Sequence, residues 1–370
     1  MSLANDHQTK EIGILGGGGA IGRLVARYFS EMGFDVLISD PSLPDSLSLD
    51  ALLERCKTLY ISVFPLEIIP EILNQITERP DASDFVILEN GSIKDLLEDS
   101  FGRLDQAGAS LCATHPLCKA DQPWKNQNVL LIPYGRNAEP AHELALALYN
   151  HAEMNIHPLD SLAEHDELMC LLQLVPHLIL RLVANLFAEL NTNLDLLNSA
   201  ATANFKLFYL SLWRVLVQSP DLSASIIGRL MNQPRGREIY HRFAASLSSV
   251  PLSDPETLTH LFKEFYTTTS PSEGYLEKMN MQGIVTLERL ANLERRSISI
   301  LTEKDEVGML REILRPFEEL GINISAIDSH KVEQTLRFDI GYDSGPSAEL
   351  LAELKAQIEG MGHRFVAVSS

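Results

Sequence analysis

Several side chains able to do chemistry fall where apolar runs end. Ser92 and Lys94 lie in ENGSIKD, directly after the run FVIL, and His115-Pro116 follows the run SLCA. If both runs are strands of an open α/β sheet, these residues sit at carboxyl ends, the crevice side on which such sheets bind ligands. A histidine there, stiffened by the following proline, could take a proton from a substrate hydroxyl as hydride leaves for a nicotinamide cofactor. The competing reading is a loop histidine satisfied by backbone. A second cluster begins with Glu164-His165-Asp166, and His177 follows about three helical turns later. The two histidines share a side only loosely, and their spacing does not resemble a zinc motif. In Val175-Pro176-His177 the proline stands within a helical pattern, where it kinks the helix and frees a backbone carbonyl. His177 needs a polar partner in so apolar a helix, either a core neighbour or a site. Arg214 stands in FKLFYLSLWRVLV; a buried guanidinium there needs an anion, either an internal carboxylate or that of a substrate.

The cofactor half of such chemistry is written in EIGILGGGGAIGRLVARYFSEMGFDVLISD. It reads as strand, glycine turn, helix and strand, with Gly17, Gly19 and Gly22 fitting G-x-G-x-x-G. The first glycine permits the tight turn, the second the approach of a pyrophosphate, and the third close packing of helix on strand. Backbone from Gly17, Gly18, Gly19, Ala20, Ile21 and Gly22 would meet the phosphates at a helix N-terminus. Asp40 ends the next strand. Its carboxylate can accept from a ribose 2′-hydroxyl and would repel a 2′-phosphate, and Pro41-Ser42-Leu43 supplies no arginine. NAD is therefore favoured over NADP.

These residues need a scaffold. A chain of 370 residues is too long for one ordinary core. Residues 10–155 alternate short apolar runs (Leu59–Val63, Phe85–Leu88, Ser110–Ala113, Val129–Ile132) with helical patterns, as in a Rossmann-type doubly wound, mostly parallel sheet. Residues 156–292 read as all-helical, with long patterns at Leu168–Leu190, Leu194–Val217 and Thr257–Tyr266. Helices this apolar invite burial in a centre or a dimer interface. Gln173, Pro176, His177, Arg181 and Asn185 interrupt Leu168–Leu190, which is read as a buried helix and not a membrane span. Residues 297–370 alternate as βαββαβ, the ferredoxin-like order. The formal charge of −20 argues against nucleic acid and anionic membranes as partners. Four cysteines without a C-x-x-C pair suggest free thiols in a reducing cytoplasm.

With these segments assembled, the chain resembles prephenate dehydrogenases of tyrosine biosynthesis fused to a C-terminal ACT domain. GGGGAIGRL resembles the family's glycine loop, GSIKD its Ser-x-Lys segment, and THP its His-Pro segment. EHDELMCLLQLVPHLI resembles its Glu-His-Asp helix, and FKLFYLSLWRVLVQSPDL the helix carrying its substrate arginine; all five occur in the family's order. The resemblance implies a nucleotide-binding domain, a helical dimerisation domain and a homodimer using NAD without a metal. It implies His115 as the catalytic histidine, Ser92 supporting both it and the substrate hydroxyl, and Arg214 on the ring carboxylate. His177 and His165 would shape the pocket, with Lys94 among the substrate-binding residues. Two departures stand out. Leu117-Cys118-Lys119-Ala120 lacks the small residues and glycine usual after His-Pro, and Lys206 stands near where some relatives carry arginine. They leave the substrate open between prephenate, arogenate and an amino analogue. EVGMLREILRPFEELGINISAIDSHK resembles the ACT type of prephenate dehydratases. It implies an aromatic amino acid effector near Gly308, Asn323 and Ser329; the competing reading is a dimerisation module that binds nothing.

Overall fold

A computed structural model describes residues 11–118, 124–250, 254–260, 263, 272–294, 297–332, 335–342 and 346–368. They divide into two units: the described parts of Met1–Phe187 with Arg214–Ser246, and of Ala188–Trp213 with Leu247–Ser370.

The first unit is built on a seven-stranded sheet of order β2-β1-β3-β4-β5-β6-β7. Its strands are β1 (Glu11–Leu15), β2 (Asp35–Ser39), β3 (Thr58–Ile61), β4 (Val86–Glu89), β5 (Ser110–Pro116), β6 (Asn128–Tyr134) and β7 (Asn155–Pro158). All pairings are parallel except β5 with β6. The short β7 carries no clear apolar run, so it escapes a reading by periodicity; it pairs with β6 at the sheet edge. Helices α1 (Ala20–Glu31), α2 (Leu49–Arg55), α3 (Ile68–Thr77), α4 (Glu98–Ala107) and α5 (Glu139–His151) cover both faces. On one face Val25 and Phe29 of α1 and Ala145 and Leu148 of α5 pack on Ile12, Ile14 and Leu88. On the other, α2, α3 and α4 bury Leu52, Leu73 and Phe101 against Leu59, Ile87 and Leu111.

The tight turn after β1 falls one residue earlier than the motif implies. Gly16, not Gly17, has the left-handed φ of +82°, and a Cβ there would lie 2.1 Å from the Ser62 carbonyl oxygen. Gly22 is needed for close approach: its Cβ would come within 2.2 Å of the Gly16 carbonyl oxygen.

After the sheet come α6 (Leu162–Met169), a π-helical turn at Cys170–Leu174, and α7 (Val175–Glu189). Pro176 lacks the N–H that would bond back along the helix and its ring clashes with the preceding turn; the wider turn just before it relieves both. The expected helix over Leu194–Val217 is two, α8 (Leu194–Ser199) and α9 (Ala203–Leu216), broken at Ala200. Then follow α10 (Pro220–Asn232), α11 (Pro234–Ser249) and α12 (Glu273–Glu294). The pattern at Thr257–Tyr266 lies in large part outside the described residues.

The expectation of a buried Leu168–Leu190 helix is corrected. By length and composition Leu162–Glu189 could cross a bilayer, yet only 17% of its most apolar window is buried within the chain. Leu171, Leu172, Leu182 and Leu186 are about half exposed. Its one guanidinium is half-buried and packed against the following helices. Arg181 donates to Ser223 Oγ at 2.7 Å and to the Val215 and Gln218 carbonyls, satisfying the end of α9.

In the second unit β8 (Ser297–Thr302), α13 (Met309–Glu319), β9 (Ile324–Val332), β10 (Thr335–Tyr342), α14 (Ala348–Gly360) and β11 (Arg364–Val368) follow in that order. The sheet is antiparallel throughout, β11-β8-β10-β9. Ile300, Ile340, Ile313, Phe317, Leu354 and Ile358 form its core with α13 and α14.

Replacing Gly16 with alanine is expected to lower unfolding free energy by at least about 1–2 kcal/mol, the left-handed penalty alone. Urea denaturation followed by circular dichroism measures it.

Candidate active site

Because β1, β3, β4 and β5 are mutually parallel, their carboxyl ends share one edge of the sheet. The glycine loop after β1, Asp40 after β2, the β4–α4 loop with Ser92 and Lys94, and His115 at the end of β5 all lie along it.

The glycine loop is tied to Asp40. The Gly18 N–H donates to Asp40 Oδ2 at 2.7 Å, and Ser42 donates to Oδ1 through its N–H (2.9 Å) and its hydroxyl (2.6 Å). Hydrogen bonding from Ser42, foremost, holds this carboxyl below its ordinary range. Gly19 caps α1 without a side-chain acceptor, and the first turn of α1 has no acidic residue. Its N–H groups thus meet no competing local anion, which suits a bound phosphate.

His115 is buried, and its Nδ1 lies 2.9 Å from Nε2 of His165. His165 is wholly buried, and its Nδ1 lies 2.7 Å from Asp166 Oδ1. Asp166 is the hub. Oδ2 accepts from the Asp95 N–H at 2.8 Å and from Gln233 Nε2 at 2.9 Å, and the Lys94 N–H reaches both oxygens at 3.0 and 3.2 Å. On the other side of His115, Nε2 lies 3.5 Å from Nε2 of Gln173, in the π-helical turn. The Gln173 Oε1 is buried without a partner.

Burial, reinforced by the nearby His165 and Lys94, depresses His115 well below the usual histidine range. Burial also lowers His165, against the opposing pull of Asp166. For Asp166, burial raises the carboxyl, but the bonds from His165, the Lys94 N–H and Gln233 outweigh it and leave a lowered pKa. Two neutral histidines therefore stand in line behind an ionised carboxylate.

Beneath this line runs a buried ion pair. Lys94 Nζ donates to Glu89 Oε2 at 2.6 Å and to the Thr114 carbonyl at 2.9 Å, with both side chains fully buried. Burial raises the Glu89 pKa, opposed by Lys94. Tyr149 donates to Thr114 Oγ1 at 2.8 Å and lies 3.2 Å from the Tyr60 hydroxyl, extending the polar seam across β3, β5 and α5.

The structure sorts the residues expected from sequence. His115 and His165 meet directly. Lys94, read from the sequence as a substrate ligand, has its ammonium fully buried on Glu89 and the Thr114 carbonyl. His165 is corrected from pocket wall to a group behind His115. Ser92 is half-buried in the β4–α4 loop, but the ring nitrogens of His115 meet His165 and Gln173 instead. His177, half-buried, begins one turn beyond Gln173 on α7. Arg214, expected to be buried, is exposed within this chain; Lys206 falls in the other unit. Asp166, Gln173 and Glu89 were not picked out as site residues. Asp166 was visible beside His165 and Gln173 as a polar break in an apolar run, but neither spacing revealed a partner. Lys119 and Ala120 lie outside the described residues. Among the described residues no group of His, Cys, Asp and Glu is arranged to hold a metal ion, and none of the four cysteines forms a disulfide.

A mostly parallel sheet with a glycine loop after its first strand, followed by a helical region, defines the class of Rossmann-type nucleotide-binding folds. Comparison with known proteins makes the likeness particular. Residues 161–263 match the family described as prephenate dehydrogenase, dimerization domain. The chain is 24% identical over 256 residues to the T-protein of Enterobacter agglomerans, covering 69% of this chain and 66% of that one, just under two thirds of its length. It is 21% identical over 330 residues to a probable arogenate/prephenate dehydrogenase of Methanocaldococcus jannaschii, covering 82% and 72%. The fold is similar to that of prephenate dehydrogenase from A. aeolicus, solved in complex with hydroxyphenyl propionate and NAD+. The TM-score is 0.54 at 16% identity, over 78% of this chain and 99% of that one. By sequence and fold the chain is thus similar to prephenate and arogenate dehydrogenases.

Two outcomes test the buried polar seam. Lys94→Met, which strands Glu89, is expected to cost about 3–5 kcal/mol in chemical denaturation. Second, the unfolded chain takes up protons on its histidines below about pH 6.5 while buried His115 and His165 do not. Stability is therefore fully present above that pH and falls as pH drops, by up to about 1.4 kcal/mol per pH unit for each histidine. Thermal midpoints measured between pH 8 and pH 5 check the sign.

Proposed function

We propose that this protein is an NAD-dependent prephenate dehydrogenase, oxidatively decarboxylating prephenate to 4-hydroxyphenylpyruvate. The observation that carries the reading is His115: buried, uncharged, and held at the carboxyl edge of the sheet that also bears the glycine loop. Residues Gly17–Gly22 would hold the pyrophosphate at the start of α1, and Asp40 the ribose hydroxyl. NAD, when bound, accepts the hydride from C4 of the ring.

His115 takes the proton of the C4 hydroxyl as the C4–H bond breaks, and returns it to the phenolate oxygen. The bond between the ring and its carboxylate breaks at the same time, its electrons completing the aromatic ring as CO2 leaves. Aromatisation drives the step, so the protein's task is orientation and one proton transfer. Arg214 would pair with the ring carboxylate, Ser92 would bond the hydroxyl, and His177 would line the side-chain pocket. Leu117, where relatives place small residues, makes arogenate or 4-amino-4-deoxyprephenate the competing substrates.

The same reading has residues 10–155 bind cofactor, 156–292 form a homodimer and 297–370 act as a ferredoxin-like ACT domain. The half-exposed leucines of α7 support the dimer, since a second copy would cover them. Gly308 has a φ of +99° at the start of α13. Ser329 is exposed on the edge strand β9. That open edge favours pairing with a second copy, and an aromatic amino acid would bind near Gly308, Asn323 and Ser329.

The test is NADH formation by the purified chain with NAD and, separately, prephenate, arogenate and 4-amino-4-deoxyprephenate, with and without millimolar tyrosine or phenylalanine. The highest kcat/KM is expected on prephenate, with inhibition by one of the amino acids. His115→Asn is expected to lower kcat by about 100-fold or more while leaving NAD affinity unchanged; retained turnover would refute the base assignment.

A further inference from the structure

The reading of His115 as a base requires that Nε2, the nitrogen facing Gln173, carry no proton. Histidine alone does not guarantee this, because neutral imidazole exists in two tautomers. The hydrogen-bond line decides between them. Asp166 is ionised and can only accept, so Nδ1 of His165, at 2.7 Å, must carry its proton. His165 is neutral, so its Nε2 is bare and accepts. The facing Nδ1 of His115, at 2.9 Å, must then donate. A neutral His115 with its proton on Nδ1 keeps its lone pair on Nε2, turned toward the Gln173 amide at 3.5 Å.

We infer that Asp166 and His165 are positioning residues that fix the tautomer of His115, so that the chain Asp166–His165–His115 delivers a lone pair to the substrate side. The inference rests on His115 being the base of the proposed reaction, but its tautomer can be read without any substrate. It differs from the familiar triad in placing a second imidazole between carboxylate and base. His165 is wholly buried and transmits the orientation of a carboxylate that is itself fixed from three directions.

The geometry states what Asp166→Asn would do. An amide keeps one acceptor oxygen. The Oδ2 position receives the Asp95 N–H at 2.8 Å and Gln233 at 2.9 Å, while the Lys94 N–H is shared, at 3.0 Å from Oδ1 and 3.2 Å from Oδ2. The Asp95 N–H is backbone and cannot turn away, and the Lys94 N–H is within reach of Oδ2, so the oxygen belongs there and the NH2 falls opposite His165 Nδ1. That nitrogen must now accept, His165 Nε2 must donate, and His115 Nδ1 must accept. The proton of His115 moves to Nε2 and the base is blocked.

The experiment is 15N NMR of protein labelled at the histidine ring nitrogens, with His115 assigned by its loss in His115→Asn. In the native protein Nε2 of His115 is expected at a pyridine-like shift and Nδ1 at a pyrrole-like one; in Asp166→Asn the two exchange. In the assay above, kcat of Asp166→Asn is expected to fall at least about 100-fold, as for a triad locked in the wrong tautomer. KM and NAD affinity should move less than about threefold, since no side chain placed against ligand is replaced and only the proton on His115 moves. His165→Gln offers a carbonyl to His115 Nδ1 and an amide N–H to Asp166; it should keep the native tautomer and a kcat well above that of Asp166→Asn. A pyrrole-like Nε2 in the native protein overturns the inference. So does an unchanged tautomer in Asp166→Asn, or, if that variant does not fold, a switched tautomer in His165→Gln. If the tautomers behave as stated but none of the three compounds is oxidised even by the native protein, the substrate reading fails and the relay stands.

Discussion

The carboxylate of Asp166 is the constraint on which the rest of this site depends. It collects the N–H groups of Lys94 and Asp95 from the β4–α4 loop, the amide of Gln233 at the entrance to α11, and the ring of His165 from its own helix. One side chain thereby ties the edge of the sheet to the helices that follow it. A buried carboxylate is costly unless its lone pairs are met. Here they are met by donors from three separate segments, so the charge is stable only when those segments are all in place.

The polar seam beneath it works by the same logic. Glu89 and Lys94 are fully buried, an arrangement that gains little against an apolar pair of the same shape but is severe to break. Its benefit is geometric. Glu89 is on β4, the Thr114 carbonyl on β5, and Lys94 in the loop between β4 and α4, so the ion pair fixes the strand ends next to His115. The backbone of that loop is held from above by Asp166 and its side chain from below by Glu89. A lysine that reads in the sequence as a ligand for substrate instead anchors the loop that carries Ser92.

The helical region leaves apolar surface uncovered among the described residues. Arg181 closes the end of α9 and π-helical widening accommodates Pro176, yet Leu182 and Leu186 of α7 remain half exposed. Apolar surface on that scale is unfavourable in water and calls for a cover. The description of the family matched by residues 161–263, a dimerization domain, agrees with that physical demand.

The sequence by itself determined the elements and the chemical types at their ends. Period-two runs bounded by glycines, a G-x-G-x-x-G turn closed by Asp40, and a histidine after a strand are local patterns, and local sterics and burial are enough to realise them. It also showed His165, Asp166 and Gln173 as polar residues in apolar surroundings. What it could not show was their pairing. Whether His165 lines a pocket or stands behind His115, and which ring nitrogen of His115 keeps its proton, depend on residues 50 or more positions apart, and whether Lys94 faces a substrate or Glu89, five residues earlier, depends on how the loop after β4 folds back. The same holds for the turn that fell on Gly16 because the Ser62 carbonyl crowds it, and for Arg214, which an apolar helix led one to bury and the fold left exposed. Sequence spacing fixes direction along one element; only the packed sheet and helices bring distant donors onto one carboxylate, and that convergence sets the chemistry of the site.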